Sequence, residues 1–201
     1  MPLTIGDRDI TDIRYGDRLI EQVFAGPVEV WRRLHRWEQA GVSKTLDVPT
    51  WARYVDFVAL GGGSGGSGGN ALNSDGKGGR PGSWAFTMLS VVAGEQLGLS
   101  IGQGGAAERS GGATTVTRSG RTVLVAAGGV TWGGSSYGDP TGIGAPDFTP
   151  LGGFSGGGNV GKDTVGSWPG GGGGGGDGWF GGYRAGAAGG AGVVWYRFRS
   201  Y

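Results

Sequence analysis

Tyr54-Val55-Asp56-Phe57-Val58-Ala59-Leu60-Gly61-Gly62-Gly63-Ser64-Gly65-Gly66-Ser67-Gly68-Gly69 joins two kinds of sequence. The first half, extended back to Trp51, is aromatic and β-branched and suits a largely buried strand. The second half carries no side chain larger than serine. Outward from this junction the strand pattern recurs: Trp84 to Val92, Gln96 to Ile101 with Leu97, Leu99 and Ile101 alternating, a hairpin over 115–125, and a last strand at Val193-Val194-Trp195-Tyr196-Arg197-Phe198. Residues 41–60 read as strands around a turn at Asp47-Val48-Pro49. The expected fold class is all-β, with a β-sandwich-like domain.

Glycine supplies 51 of the 201 residues, a level that signals disorder in many chains. Two features oppose that reading. Aromatic residues reach 10%, eight of them tryptophan, and charged residues are only 16% with a net charge of +1, whereas disordered chains combine few aromatics with high net charge. Glycine rises along the chain, from four in residues 1–50 to 19 in 51–127 and 28 in 128–192. The last stretch has almost no strand or helix pattern and is too long for a structureless loop. We expect packed polyglycine II helices there, left-handed with three residues per turn, hydrogen-bonding backbone to backbone because no Cβ intervenes.

The N-terminal segment repeats itself. Gly6-Asp7-Arg8-Asp9-Ile10 is followed by Gly16-Asp17-Arg18-Leu19-Ile20, and a looser copy begins at Gly26-Pro27-Val28. Gly-Asp and Gly-Pro are turn signals between short apolar runs. Three short strands are expected, ending near Trp31-Arg32-Arg33-Leu34; one turn of helix through Trp31, Leu34 and Trp37 fits equally well. The expected domains are a β-repeat module at 1–50 and a glycine-rich β domain at 51–201, with 128–192 as a glycine-rich insertion.

Several chemistries fall away. Without cysteine there is neither a disulfide framework nor a thiolate metal site, and a single histidine, His35, rules out a histidine cluster. Neutral charge leaves no footprint for nucleic acid, and no apolar run approaches the ~20 residues of a membrane span. The N-terminus lacks the pattern of a secretory signal, so synthesis in a cytoplasm is expected. Gly-x-Ser-x-Gly matches centred on Ser64, Ser67 and Ser155 lack a downstream histidine and a strand-turn-helix context. Gly156 to Lys162 nearly forms a phosphate-binding loop, but Asp163 stands where Ser or Thr is needed for Mg²⁺. Asp7, Asp9 and Asp12 lack the glycine and distal glutamate of a calcium loop. Asp139, Asp147, Asp163 and Asp177 are scattered without the pairing that glycan hydrolysis needs. No enzymatic activity, metal or cofactor is expected.

The long strand entering a glycine tract (Tyr54 to Gly63), the strand ending in Gly-x-Gly-Gly (Leu97-Gly98-Leu99-Ser100-Ile101-Gly102-Gln103-Gly104-Gly105), the closing Gly189-Gly190-Ala191-Gly192-Val193-Val194-Trp195-Tyr196-Arg197 and the leader Ile20-Glu21-Gln22-Val23-Phe24-Ala25-Gly26-Pro27-Val28-Glu29-Val30-Trp31 together resemble glycine-rich minor tail proteins of bacteriophages that infect actinobacteria. The resemblance covers residues 10–60, 84–105 and 186–198. It implies a virion protein of the tail tip, other tail-tip proteins as partners, a homotrimer, no nucleic acid and no membrane insertion. It also implies docking to the tail through the N-terminal module, with Ile20, Val23, Phe24, Val30 and Trp31 as contacts. The function expected is host attachment through the glycine-rich distal region. The alternatives are a purely structural tail-tip subunit and an envelope-glycan hydrolase.

Aromatic residues are spaced through the glycine-rich region. As structural groups they cover glycine backbone; as functional ones they offer faces on which sugar rings stack, displayed from a rigid scaffold. The candidate receptor or cell-envelope glycan site is therefore Trp132, Tyr137, Trp168, Trp179, Phe180 and Tyr183, with Trp179, Phe180 and Tyr183 first because they directly follow the tract 170–176.

Overall fold

The computed structural model describes residues 37–130 and 154–199, together with strands within 1–36. The chain divides into two compact units, Met1–Arg36 and Trp37–Tyr201. The division precedes residue 50 because residues 38–47 contribute strands to the sheets of the second unit.

The first unit holds three antiparallel hairpins: β1 (Thr4–Ile5) with β2 (Arg8–Asp9), β3 (Ile13–Tyr15) with β4 (Arg18–Ile20), and β5 (Gln22–Ala25) with β6 (Val28–Arg32). Each ten-residue period thus contains two strands, where the sequence suggests one. The runs on either side of each Gly-Asp or Gly-Pro pair are long enough to pair with each other.

The second unit is built on two four-stranded antiparallel sheets. One has the order β10 (Trp84–Ser90), β9 (Tyr54–Leu60), β16 (Val193–Arg199), β7 (Glu38–Ala40); the other runs β13 (Arg121–Ala126), β12 (Thr114–Arg118), β11 (Gln96–Ser100), β8 (Lys44–Asp47). Strand alternation sends Val55, Phe57 and Ala59 of β9 inward with Val194 and Tyr196 of β16. They meet Leu46, Leu97, Leu99, Val116, Leu124 and Ala126 of the other sheet in one core. The all-β sandwich expected from the sequence is present.

Residues 128–192 fall between β13 and β16 as an insertion, but glycine-rich segments also lie between other strands of the sandwich. Six of its strands run on into them. Residues 61–69 leave β9, 76–82 lead into β10, 101–105 leave β11, 109–113 lead into β12, 127–130 leave β13, and 184–192 lead into β16. A seventh segment, 170–177, joins them. Hydrogen bonding places residues 61–69 at the centre of the other six. Its amides donate with a period of three: Gly61, Ser64 and Ser67 to residues 83, 80 and 77; Gly62 and Gly65 to 112 and 109; Gly63, Gly66 and Gly69 to 190, 187 and 184. Its carbonyls accept from Gly105, Gly129, Gly173 and Gly176 on the remaining three segments.

The six outer segments are bonded to one another in a closed ring. Gly79 donates to Gly173, Ala187 to Gly174, Gly189 to Gly105, Gly112 to Gln103, Gly111 to Gly129, and Ser83 to Ala127. This is a hexagonal bundle of polyglycine II-type segments, whose period of three gives the central one three donor directions. The helices expected within 128–192 are found at 170–177 and 184–192, but the centre of the bundle lies outside that range.

Two details explain the arrangement. A Cβ on Gly61, Gly62, Gly63, Gly65 or Gly66 would overlap the carbonyl of a neighbouring segment, so only glycine permits the separation at which the backbones bond. Ser64 and Ser67 lie on the face toward 76–82, and their hydroxyls accept from the Arg80 and Lys77 amides, both at 2.8 Å. At the junction with the sandwich, the buried Thr114 hydroxyl donates to the Leu60 carbonyl (2.8 Å) and accepts from the Gly102 amide (3.0 Å).

Candidate functional site

Within the bundle the central segment carries only the small side chains of Ser64 and Ser67, and no aromatic residue lies on residues 61–69, 76–82, 101–105, 109–113, 127–130, 170–177 or 184–192. Residues 61–69 run away from the sandwich, so the loops at Gly69 and beyond lie about 28 Å from it at the ~3.1 Å rise of such a helix. Two loops make this distal tip. In the first, the Asn70 carboxamide oxygen accepts from the amides of Leu72 (2.9 Å) and Ser74 (3.2 Å). Such a side-chain-closed turn is what asparagine favours, and it leaves Leu72 at the apex. In the second, β14 (Gly178–Trp179) pairs with β15 (Gly182–Tyr183) around Phe180 and Gly181. Gly181 has φ +82°, a left-handed conformation that glycine adopts without strain. The Trp179 indole lies over Gly182, where a Cβ would collide with it. The loops meet where the Gly181 amide donates to the Ala71 carbonyl at 3.2 Å.

A charge network underpins them. Lys162 pairs with Asp75 and, at 3.3 Å, with Asp177. Asp163 pairs with Arg184 at 3.3 Å and accepts from the Asp177 amide at 3.2 Å; Asp75 accepts from the Gly178 amide at 3.3 Å. The hydrogen bond from Lys162, and then that from Gly178, hold the Asp75 carboxyl below its ordinary value. Asp75 in turn raises Lys162.

A carboxyl with a lowered pKa contributes stability that is full above its ordinary value and vanishes as pH falls through the lowered one. A raised lysine contributes below its ordinary value and loses this as pH rises through the raised one. The tip is thus expected to stay fastened from weakly acidic to strongly alkaline pH and to loosen in acid. The Gly178 amide resonance should shift on acidification, and Lys162→Met should reproduce that shift at neutral pH while the sandwich resonances stay in place.

Among the residues expected from the sequence, Trp179, Phe180 and Tyr183 come together at this tip and are exposed. Trp168 is exposed as well but belongs elsewhere. Its indole faces Gly41 between β7 and β8, beside the sandwich. The spacing along the sequence hides this because residues 170–177 run the length of the bundle between Trp168, beside the sandwich, and Trp179, at the tip. Trp132 and Tyr137 lie outside the described residues, as do Asp139 and Asp147. Of the residues expected to dock, Ile20 on β4 and Val23 on β5 are half-buried, while Phe24 lies on β5 and Val30 and Trp31 on β6, with Val23 opposite Trp31.

The sequence reading missed Leu72, Asp75 and Lys162. The signal for the first two was a short polar loop, Asn70 to Asp75, set between two glycine runs. Lys162 gave none. Among the described residues, no group of three or more His, Cys, Asp or Glu side chains is placed to hold a metal ion.

The family model described as a glycine-rich domain matches residues 38–147, more than half of the chain. The match spans the first seven strands of the sandwich and the central glycine segment. No curated protein matches the chain.

Proposed function

The chain belongs to the glycine-rich domain family, and from that premise we propose that it is a bacteriophage tail-tip protein that attaches the virion to the host cell through its distal loops. The observation that carries this reading is the contrast within the bundle. Along its central segment Gly61, Gly62, Gly63, Gly65 and Gly66 leave no room for a Cβ and only Ser64 and Ser67 carry side chains, whereas its far end carries exposed Trp179, Phe180, Tyr183 and Leu72 on backbone held by the hexagonal hydrogen bonding. Binding residues set on rigidly supported loops are a common way to present a recognition surface. The resemblance of Ile20 to Trp31 and Tyr54 to Gly63 to minor tail proteins supports the virion assignment. In this reading the N-terminal hairpins serve docking to other tail-tip proteins, and the assembled state is a homotrimer.

The purified, fluorescently labelled protein is expected to bind intact actinobacterial host cells saturably. A Trp179→Ala, Tyr183→Ala variant should lose most of that binding, since exposed aromatic anchors dominate such contacts. Retention of full binding by a correctly folded variant places the contact elsewhere. Absence of binding by the wild-type protein leaves the purely structural role.

A further inference from the structure

We propose that the ligand of the distal tip is the interfacial zone of a lipid layer, an inference that rests on the attachment reading above. Leu72 and Phe180 would enter the acyl boundary, with Trp179 and Tyr183 at headgroup depth.

Four observations carry it. First, the carboxylates of the tip and the Asn70 carboxamide oxygen are engaged in holding its loops. Asp75 and Asp177 bind Lys162, Asp163 binds Arg184 and the Asp177 amide, and the Asn70 carboxamide oxygen closes its own turn. A sugar site commonly sets a free carboxylate beside a stacking ring to meet hydroxyls, and here the carboxylates nearest the rings are already paired. Second, exposure is graded as an interfacial anchor requires. The purely apolar side chains at the turn apices are the most exposed, Phe180 at 79% and Leu72 at 78%, followed by Tyr183 at 64% and Trp179 at 44%. Neither the Tyr183 hydroxyl nor the Trp179 indole N–H makes a hydrogen bond among the described residues, which leaves both for headgroup oxygens. Rings with one apolar side and one polar handle favour that depth.

Third, the patch is small and sits at the apices of two turns. Four such side chains present on the order of 400 Å², about half of the roughly 800 Å² per partner that a stable protein interface takes. Turn apices suit a layer that deforms around them. Fourth, Asp75, Asp163 and Asp177 nearly balance Lys162 and Arg184, so attraction to anionic headgroups is not the driving force. This is contact by side chains at a surface, and no segment spans the layer.

The full chain would be co-sedimented with vesicles of phosphatidylcholine alone, in low and high salt, in parallel with the intact-cell assay. The wild type is expected to sediment with the vesicles to the same extent at both salt concentrations. Phe180→Asp and Leu72→Asp, both surface changes, should each lower partitioning roughly tenfold or more, since each replaces an exposed apolar side chain that would be buried in the lipid layer with a charge. A wild-type protein that binds cells but not vesicles overturns the lipid assignment and leaves attachment standing. So does binding to cells that soluble envelope glycan displaces, and so does vesicle binding that both variants retain. Vesicle binding without cell binding upholds the lipid contact and removes the attachment reading. Binding to neither removes both.

Discussion

Gly63→Ala is expected to yield no folded protein, whereas Gly158→Ala leaves the fold intact. Both are one-methyl changes on a glycine-rich segment, and intrinsic preference favours alanine at both, because glycine gives up about 0.5–1 kcal/mol more conformational entropy on ordering. The surroundings decide the sign. At Gly63 the new methyl overlaps the carbonyls of Gly170 and Gly171, which are backbone atoms and cannot rotate away. Relief requires residues 61–69 and 170–177 to separate, yet Gly173 and Gly176 donate to the carbonyls of Ser64 and Ser67 and the Gly63 amide donates to Gly190. Moving the centre of the hexagon also disturbs five other neighbours. At about 1 kcal/mol net for each hydrogen bond, the loss of this set reaches the whole of a typical stability of about 5–15 kcal/mol. At Gly158 nothing lies within 4 Å of the added atom, and the change is expected to be neutral or to add a few tenths to about 1 kcal/mol by restricting the unfolded chain. Soluble yield and thermal unfolding of the two variants check the contrast. A folded Gly63→Ala protein with near wild-type stability would falsify the hexagonal packing.

That contrast also marks what the sequence can convey. The strands β9, β11 and β16 are legible because side chains alternate there: Val55, Phe57 and Ala59 against Asp56 and Val58, or Leu97 and Leu99 against Gly98 and Ser100. The bundle is not legible in the same way. A glycine carries no side chain to indicate which neighbour it faces, so nothing in the order of residues identifies 61–69 as the centre and 170–177 as part of the ring. The one local trace of the threefold period is the spacing of Ser64 and Ser67, whose hydroxyls both face 76–82.

The candidate site divides on the same line. Trp179, Phe180 and Tyr183 are close in sequence and share one hairpin, so their grouping was visible. Leu72 joins them only because the bundle carries Ala71 to Gly181. Lys162 reaches Asp75 across 87 positions of sequence for the same reason, and Trp168, eleven residues before Trp179, ends up beside the sandwich. The division at Arg36 was obscured by the short edge strands β7 and β8, whose partners β16 and β11 lie far along the chain.

The second large effect is expected at Asp56, the buried charge of the sandwich. It stands on β9 among Val55, Phe57 and Val58 and is 1% exposed. The pleat turns it away from the core, toward the face where β16 presents Arg197 and Arg199. Arg199 approaches in a two-pronged manner, Nε to Oδ2 at 2.8 Å and Nη2 to Oδ1 at 2.9 Å, and Arg197 adds Nη2 to Oδ2 at 2.7 Å. Strand register makes this possible, since Arg197 lies directly opposite Asp56 and Arg199 two positions on. The guanidiniums are held in turn by rings, Arg197 over Trp37 at 4.8 Å and Arg199 over Tyr54 at 5.5 Å. Asp56→Ala removes the carboxylate that Arg197 and Arg199 both hold on a largely covered sheet face, and losing one partner of a buried pair costs about 3–5 kcal/mol. Asp56→Asn retains hydrogen-bond acceptance without the charge and should cost less. Urea unfolding should rank the proteins as wild type, then Asp56→Asn, then Asp56→Ala. Because the pair lies on β9 and β16, which run on into residues 61–69 and are fed by 184–192, the destabilised sandwich should carry the bundle with it in a single transition. Separate transitions for the two parts would mean that the hexagon sustains itself without the strands that enter it.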